Sequence, residues 1–288
     1  MQEGDGVFLD LLNYRIYAQN DTISHKRPVL VLIHGLGGGI PTWFFQVHEL
    51  KKHYDLLLLE LPSHGKCEIK MSQLAPDLVS VSSLILNTLD HLGIEKASFV
   101  GVSLGALVIQ YFVLYNSKRV DKYVLIGPVG KFWLVHKVLI WLLWFFLPVL
   151  PLKSTMRFVS RVIIPYKDMA YGRDMFLACA RRIGRMEFRA WCRTLLSFAP
   201  HQSVYPQKMG AEPNGLYILG SKDYFFRIMS WFDRKRPQNL VIVKDAGHLC
   251  SIDQYKAVND LIVRFMETGT IQQNTEHAPP ADCVSSVS

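Results

Sequence analysis

Cysteine and charge are both scarce in this chain of 288 residues. Its five cysteines are odd in number and scattered, without the close spacing of metal ligands. They exclude a disulfide framework or a zinc site and favour a reducing compartment. Charged residues make up only 19% of the chain and hydrophobic residues 50%, which excludes a disordered protein. The first residues lack the basic and apolar regions of a secretory signal, so we expect a mature chain that starts here, in the cytoplasm.

A long apolar run is also missing. Residues 138–152 are fifteen uncharged residues, whereas a membrane span needs about 20, and Pro148 and Pro151 interrupt their end. Residues 131–210 also hold 13 of the 32 lysines and arginines but only three of the 24 acidic residues. Aromatic and basic side chains together are typical of segments that rest on a membrane surface, and we predict peripheral membrane contact here. The alternative is a buried helix that closes over a site. No zinc finger or RNA motif accompanies the basic residues, so we expect no nucleic-acid partner.

A Gly-x-Ser-x-Gly motif stands out in the remaining sequence, as Gly101-Val102-Ser103-Leu104-Gly105. It follows an apolar run and precedes a helical one, which predicts a sharp strand-to-helix turn with the serine raised above the sheet. Small neighbours are needed because the turn strains the serine backbone. The backbone N–H of Leu104, at the start of the helix, would point toward a developing oxyanion. The motif predicts Ser103 as a nucleophile.

Strands and helices alternate on both sides of the motif, which predicts a mostly parallel α/β sheet. A hairpin at a sheet edge is predicted over residues 7–18. The alternation breaks over residues 131–210, which indicates an insertion. We predict a first core part (1–130), a helical insertion (131–210), a second core part (211–268) and a disordered tail (269–288). The predicted strands are 28–33, 56–61, 97–102, 123–127, 216–220 and 240–243, and the predicted helices are 42–52, 78–92, 104–115, 225–232 and 253–267.

A serine hydroxyl needs a base to take its proton and an acid to orient that base. His248 follows the last predicted strand and Asp223 follows the strand before it, so both lie at the strand ends where open α/β sheets build their sites. Asp245 and Asp253 are competing acids. His248 and Asp253 also form a His-x4-Asp string similar to acyltransferase motifs, but Asp253 has a simpler role as N-cap of the last helix.

The chain order Ser103, Asp223, His248, with the turn after His34 and Gly35, resembles the α/β-hydrolase superfamily. The resemblance implies the α/β-hydrolase fold, with helices on both sheet faces and the insertion as a helical cap. It implies a catalytic triad of Ser103, His248 and Asp223, and an oxyanion hole formed by the N–H groups of Leu36 and Leu104. His34 is expected to brace that turn. Residues 60–67 depart from the family pattern, which leaves the subfamily open.

The predicted function is a serine hydrolase that cleaves carboxylic esters, small or lipid-like, through an acyl-enzyme, with no metal or organic cofactor. Thioesterase and acyltransferase activities use the same triad and remain alternatives. A non-catalytic ligand receptor of the same fold is a further alternative, which the intact triad disfavours.

Overall fold

The computed structural model describes residues 11–18, 21–24, 26–128, 134–198, 215–223 and 239–271. They form one seven-stranded sheet in the order β1-β3-β2-β4-β5-β6-β7. Strand β1 runs antiparallel to β3 at one edge, and every other pair is parallel. The strands are β1 (Asn13–Tyr17), β2 (Val29–Ile33), β3 (Asp55–Glu60), β4 (Ala97–Val102), β5 (Val120–Ile126), β6 (Gly215–Gly220) and β7 (Leu240–Val243).

Helices cover both faces of the sheet, which is why the central strands are continuous apolar runs rather than alternating ones. All five residues of β2 are buried. One apolar cluster joins the sheet to α2 and α3, and the other joins it to α1 and α9. The helices are α1 (Phe44–Leu50), α2 (Leu78–His91), α3 (Leu104–Asn116), α4 (Leu134–Phe146), α5 (Leu152–Ile163), α6 (Ala170–Ala180), α7 (Arg185–Phe198), α8 (Cys250–Asp253) and α9 (Tyr255–Thr268).

Helix ends carry the expected local signals. The side chain of Asp77 accepts a hydrogen bond from the N–H of Ser80 and caps α2. Helix α9 ends at Gly269, whose φ of 72° is left-handed, a conformation that glycine adopts without strain. Four helices, α4 to α7, lie between β5 and β6, where the sequence predicts the insertion. The boundaries predicted for that insertion fall on residues that the structure does not describe.

Some local elements differ from their predicted bounds or lie outside the described residues. The predicted hairpin is described only from residue 11, and there β1 pairs with β3. The predicted last helix, 253–267, is α9, which begins at Tyr255, and a separate short helix, α8, ends at Asp253. The helix predicted over 225–232 and most of the predicted tail lie outside the described residues, although Ile271 still packs against the apolar cluster beside α9.

No helix in the described part of the chain combines the length and the apolar character that crossing a membrane requires. Helix α4, with 13 residues, is only about 20 Å long at 1.5 Å per residue. The apolar run of residues 138–152 is divided between α4, a turn at residues 147–150 and the start of α5.

Candidate active site

Ser103 occupies the sharp turn between β4 and α3. Its φ of 53° and ψ of −110° are a conformation that non-glycine residues rarely adopt. The chain can turn here because Gly101 and Gly105 have no side chains. A Cβ on Gly105 would lie 2.1 Å from the carbonyl oxygen of Ile33, and one on Gly101 would lie 2.6 Å from the carbonyl carbon of Gly105. Ser103 itself is only partly buried, so its side chain is accessible.

His248 and Ser103 flank the same peptide of β5. The N–H of Ser103 donates to the carbonyl oxygen of Ile126 over 2.9 Å. The next residue, Gly127, has a φ of 55°, and a Cβ on it would lie 3.0 Å from both Nδ1 and Cε1 of His248. The imidazole therefore lies directly against the strand end to which the serine backbone is bound.

Asp223 holds the other side of the imidazole. Its Oδ2 lies 2.9 Å from Nδ1 of His248, and both residues are buried. Because a carboxylate oxygen only accepts, Nδ1 carries the proton in this contact. Asp245 does not approach the ring. Its side chain is 59% exposed and lies 3.5 Å from Nζ of Lys222.

Asp253 has a different place from the one the sequence predicts. It ends α8 rather than capping the last helix, whose N-cap is Gln254 and has no side-chain cap. Its Oδ2 accepts a hydrogen bond from the N–H of Gly247 over 2.9 Å. Burial raises the pKa of the Asp253 carboxyl to about 6. In the His-x4-Asp string, Nδ1 of His248 thus binds Asp223, and Asp253 binds the N–H of Gly247.

The turn after β2 lies against the elbow. A Cβ on Gly35 would be 3.4 Å from Cβ of Ser103, so the next peptide, at Leu36, is beside the serine. Within the described residues, the N–H of Leu36 donates to no protein atom. The N–H of Leu104 is the first of α3 and has no acceptor within its helix. Two backbone donors are therefore available close to Ser103.

Two buried histidines fix that turn. Nδ1 of His34 lies 2.8 Å from the carbonyl oxygen of Gly35, and its Nε2 accepts from the N–H of Leu61. Nδ1 of His64 lies 3.0 Å from the carbonyl oxygen of Pro62, and its Nε2 accepts from the N–H of Gly37. Each ring donates through one nitrogen and accepts through the other, so both are neutral. Burial lowers the pKa of His34 and, with His34 as neighbour, lowers the pKa of His64 to about 3.

Apolar side chains from residues 166–180 lie over these turns. A Cβ on Gly37 would be 2.8 Å from the ring of Phe176 and 3.3 Å from Cβ of Ala180, both on α6. A Cβ on Gly247, beside the catalytic candidate His248, would be 2.5 Å from the sulfur of Met169. The four-helix segment therefore contacts the site at the oxyanion turn and again at the histidine.

Helix α7 is bound to the turn at residues 62–64. Nε1 of Trp191 donates to the carbonyl oxygen of Pro62 over 3.0 Å. Oε2 of Glu187 accepts from the hydroxyl of Ser63 over 2.6 Å, and the Glu187 carboxylate also accepts from the N–H and hydroxyl of Ser72. These contacts hold α7 beside the same turn that carries His64.

The predicted site residues thus lie at the carboxyl ends of the parallel strands. Asp223 contacts His248, and Leu36 lies beside Ser103. His34 braces the turn, as predicted. The structure also buries the ring of His64 between Gly37 and Pro62. The sequence alone indicates no role for Glu187 or Trp191. No local signal in the sequence indicates their partners, which are more than 100 positions away.

Comparison with known proteins identifies the family of the chain. A model of the alpha/beta hydrolase family matches residues 30–261, which is most of the chain and includes Ser103, Asp223 and His248. Among solved structures, an esterase from Exiguobacterium antarcticum superimposes with a TM-score of 0.74. That match covers 89% of this chain and 96% of the esterase, at 14% sequence identity, so the fold is shared although the sequences have diverged.

Curated relatives match over shorter segments. The dihydrolipoyllysine-residue acetyltransferase component of the acetoin cleaving system of Cupriavidus necator is 31% identical over 101 residues, which are 35% of this chain and 26% of that protein. Esterase YbfF of Escherichia coli K12 is 28% identical over 119 residues, which are 40% of this chain and 44% of the esterase. The chain thus spans less than half the length of these relatives.

Proposed function

Because the chain belongs to the alpha/beta hydrolase family, we propose that it is a serine hydrolase of carboxylic esters, with Ser103 as nucleophile, His248 as general base and Asp223 as the acid that orients it. The observation that carries the proposal is the buried contact of 2.9 Å between Asp223 and His248, next to a serine held in a strained elbow conformation. Strain at a solvent-accessible serine is typical of functional sites. The names of the two related esterases support the same reaction class.

The reaction follows from the roles of the three groups. Asp223 engages Nδ1, so Nε2 of His248 is the basic nitrogen that takes the Ser103 proton as Oγ attacks the ester carbonyl carbon. The tetrahedral intermediate collapses when the imidazolium gives that proton to the departing alkoxide, which leaves as an alcohol. Water then loses a proton to His248 and attacks the acyl-enzyme, and the carboxylic acid leaves as Ser103 recovers its proton.

The two backbone donors beside Ser103 suit the intermediate. The N–H groups of Leu36 and Leu104 would bind the oxyanion, and one such donor contributes about 10²- to 10³-fold in kcat. His34 and His64 hold the turn that carries Leu36, so they act as positioning residues. All of these groups belong to the protein, and the reaction needs no further cofactor.

The side chains above the site favour an apolar acyl group. Phe176 and Met169 project from the four-helix segment onto the turns at Gly37 and Gly247, and neither offers a charge to a substrate. Apolar walls with a few polar groups are usual for pockets that bind hydrophobic ligands. We therefore propose a small or lipid-like acyl ester as substrate.

Labelling with a fluorophosphonate probe tests the nucleophile. The probe should attach to Ser103 in the full chain, as shown by peptide mass spectrometry, and Ser103→Ala should abolish both labelling and ester hydrolysis. Ser83→Ala, on the exposed face of α2, is the matched control and should change neither. A protein that remains unlabelled, or a Ser103→Ala variant that keeps its turnover, overturns the assignment.

A further inference from the structure

Helix α4 presents an unusual apolar face to solvent. Its exposed side chains recur at helical spacing, at positions 134, 138, 141, 142, 145 and 146, so they lie on one side of the helix. Trp141 and Phe145 stack with ring centroids 5.3 Å apart, and Phe146 meets Phe145 edge-on. Val149, in the following turn, is 77% exposed. Monomeric soluble proteins rarely expose apolar side chains in such a continuous row.

The opposite side of α4 is anchored, so the exposed face is held in place. Leu147 is fully buried, and Ile140, Leu143 and Trp144 pack against the core. Arg189 of α7 donates to the carbonyl oxygen of Trp144 over 3.0 Å, and its guanidinium carbon lies 4.4 Å from the centre of the Trp144 ring. These contacts therefore hold the exposed apolar side chains of α4 in a fixed position.

Positive charge accompanies this face. No acidic residue occurs between Asp121 and Asp168, a stretch that includes all of α4 and α5. Lys153, Arg157 and Arg161 are exposed on α5 at intervals of four residues, so they share one side of that helix. None of the three forms an ion pair with an acidic residue in the part of the chain that the structure describes. Their charges are thus uncompensated.

One more cation lies at the end of α4, and an exposed aromatic ring lies among the cations of α5. Arg185 is exposed and donates to the carbonyl oxygen of Pro148 over 2.7 Å, directly after α4. On α5 the ring of Phe158 is 54% exposed between Arg157 and Arg161 in the sequence. Aromatic and aliphatic side chains bordered by lysine and arginine match the two layers of an anionic lipid surface, its acyl boundary and its headgroups.

We propose that the α4 face and the cations of α5 form a docking surface for anionic phospholipid bilayers. At about 20 Å, α4 is too short to cross a bilayer core of about 30 Å, so it would lie in the interface plane. A second copy of the chain fits this surface less well, because an isologous contact brings identical positive patches together. The proposal goes beyond the ester hydrolysis proposed above and does not depend on it.

Sedimentation of the full chain with vesicles tests the proposal. Vesicles of phosphatidylcholine with 30% phosphatidylglycerol should bind the protein at 50 mM NaCl and release most of it at 500 mM, because salt screens the attraction. Vesicles of phosphatidylcholine alone should bind at least about tenfold less. Equal binding to the two kinds of vesicle, or no binding at low salt, overturns the proposal.

Two sets of variants locate the surface. The triple variant K153Q/R157Q/R161Q should lower the partition coefficient roughly 100-fold, and W141S/F145S at least about tenfold. The matched controls change exposed residues of the hydrolase core, K26Q/K118Q/K256Q for charge and F44S/Y115S for aromatic area. They should bind as the unchanged protein does. Controls that lose as much binding as the surface variants contradict the proposed location.

Two further readouts separate this proposal from its competitors. Hydrolysis of a soluble short-chain ester should be unchanged in all four variants. This measurement distinguishes weaker vesicle binding from damage to the active site. Light scattering after gel filtration should give the mass of one chain. A dimer that W141S/F145S converts to monomer would assign the α4 face to a second copy and overturn the lipid assignment.

Discussion

The N–H of Gly37 donates to Nε2 of His64 over 3.0 Å, within the turn that places the Leu36 peptide beside Ser103. A backbone donor can bind that nitrogen only while the ring is neutral. The same ring donates through Nδ1 to the carbonyl oxygen of Pro62. A protonated His64 would turn an acceptor into a donor that faces another donor, so the geometry of the oxyanion turn depends on the neutral ring.

Acid should therefore destabilise the protein through His64. Its pKa is about 3 in the folded state and about 6.5 when unfolded, so the unfolded chain binds the extra proton between these values. Unfolding free energy is unaffected above pH 6.5 and falls with pH below it, by about 2 kcal/mol at pH 5. Urea unfolding of His64→Gln should show a flatter dependence from pH 7 to pH 5. His91→Gln, exposed on α2, is the control, and an unchanged slope in His64→Gln would contradict this assignment.

Asp223 and Asp245 should differ sharply in their effect on turnover. Asp223→Asn removes the charged partner of Nδ1 and favours the wrong imidazole tautomer, so kcat should fall roughly 10²- to 10⁴-fold. Asp245→Asn alters an exposed contact with Lys222 and should change kcat less than about twofold. Ester hydrolysis by the two variants measures both effects. The reverse order would assign the orienting role to Asp245.

A methyl group at Gly127 should disturb catalysis more than stability. In Gly127→Ala the new Cβ would lie 3.0 Å from Nδ1 and Cε1 of His248 and would displace the ring from its position. Misplacement by about 1 Å costs on the order of 10²-fold in rate. Gly269→Ala carries similar backbone strain at a φ of 72°, but its Cβ approaches only the end of Lys122. It should lose about 1 kcal/mol of stability and keep full kcat, and equal kcat in the two variants would refute the packing argument.

Asp253→Asn should stabilise the protein at alkaline pH. The folded-state pKa of the Asp253 carboxyl, about 6, lies above its ordinary value, so the ionised carboxylate lowers the free energy of unfolding. This loss of stability is complete above pH 6 and absent below about pH 4. The asparagine oxygen can still accept from the N–H of Gly247. Allowing for solvent at this partly buried group, we expect a gain of about 1 kcal/mol at pH 8 and none at pH 4. Urea unfolding measures it, with Asp260→Asn on the surface of α9 as control; a loss at pH 8 would show that the charge is needed.

The sequence predicts well those parts of the molecule whose structure is determined by residues close together in the chain. Unbroken apolar runs predict buried parallel strands, and the glycines at 101 and 105 predict the elbow. The structure leaves no room for a Cβ at either position, because Gly105 lies against Ile33 and Gly101 against Gly105 and Ile109. The position of Asp223 after β6 follows from the same logic, because parallel strands end at one sheet edge. The predicted α/β-hydrolase fold is confirmed by the family match and by the sheet itself.

The parts that sequence predicts poorly depend on contacts between distant segments. Asp253 has the residue type and position of a helix cap, yet its carboxylate accepts from the N–H of Gly247, and the last helix begins only at Tyr255. The neutral state of His64 is set by burial and by the N–H of Gly37, 27 positions away. Neither local propensity nor spacing carries that information.

The attachment of α7 to the turn at residues 62–64 limits which segments of this protein can be exchanged by engineering. Glu187 and Trp191 satisfy polar groups of Ser63, Ser72 and Pro62 that belong to the hydrolase core. A chimera that exchanges residues 134–198 for foreign helices would remove the Glu187 and Trp191 hydrogen bonds from these groups, beside the oxyanion turn. The helical segment is therefore not an interchangeable module, and grafts should succeed only when α7 is kept with the core.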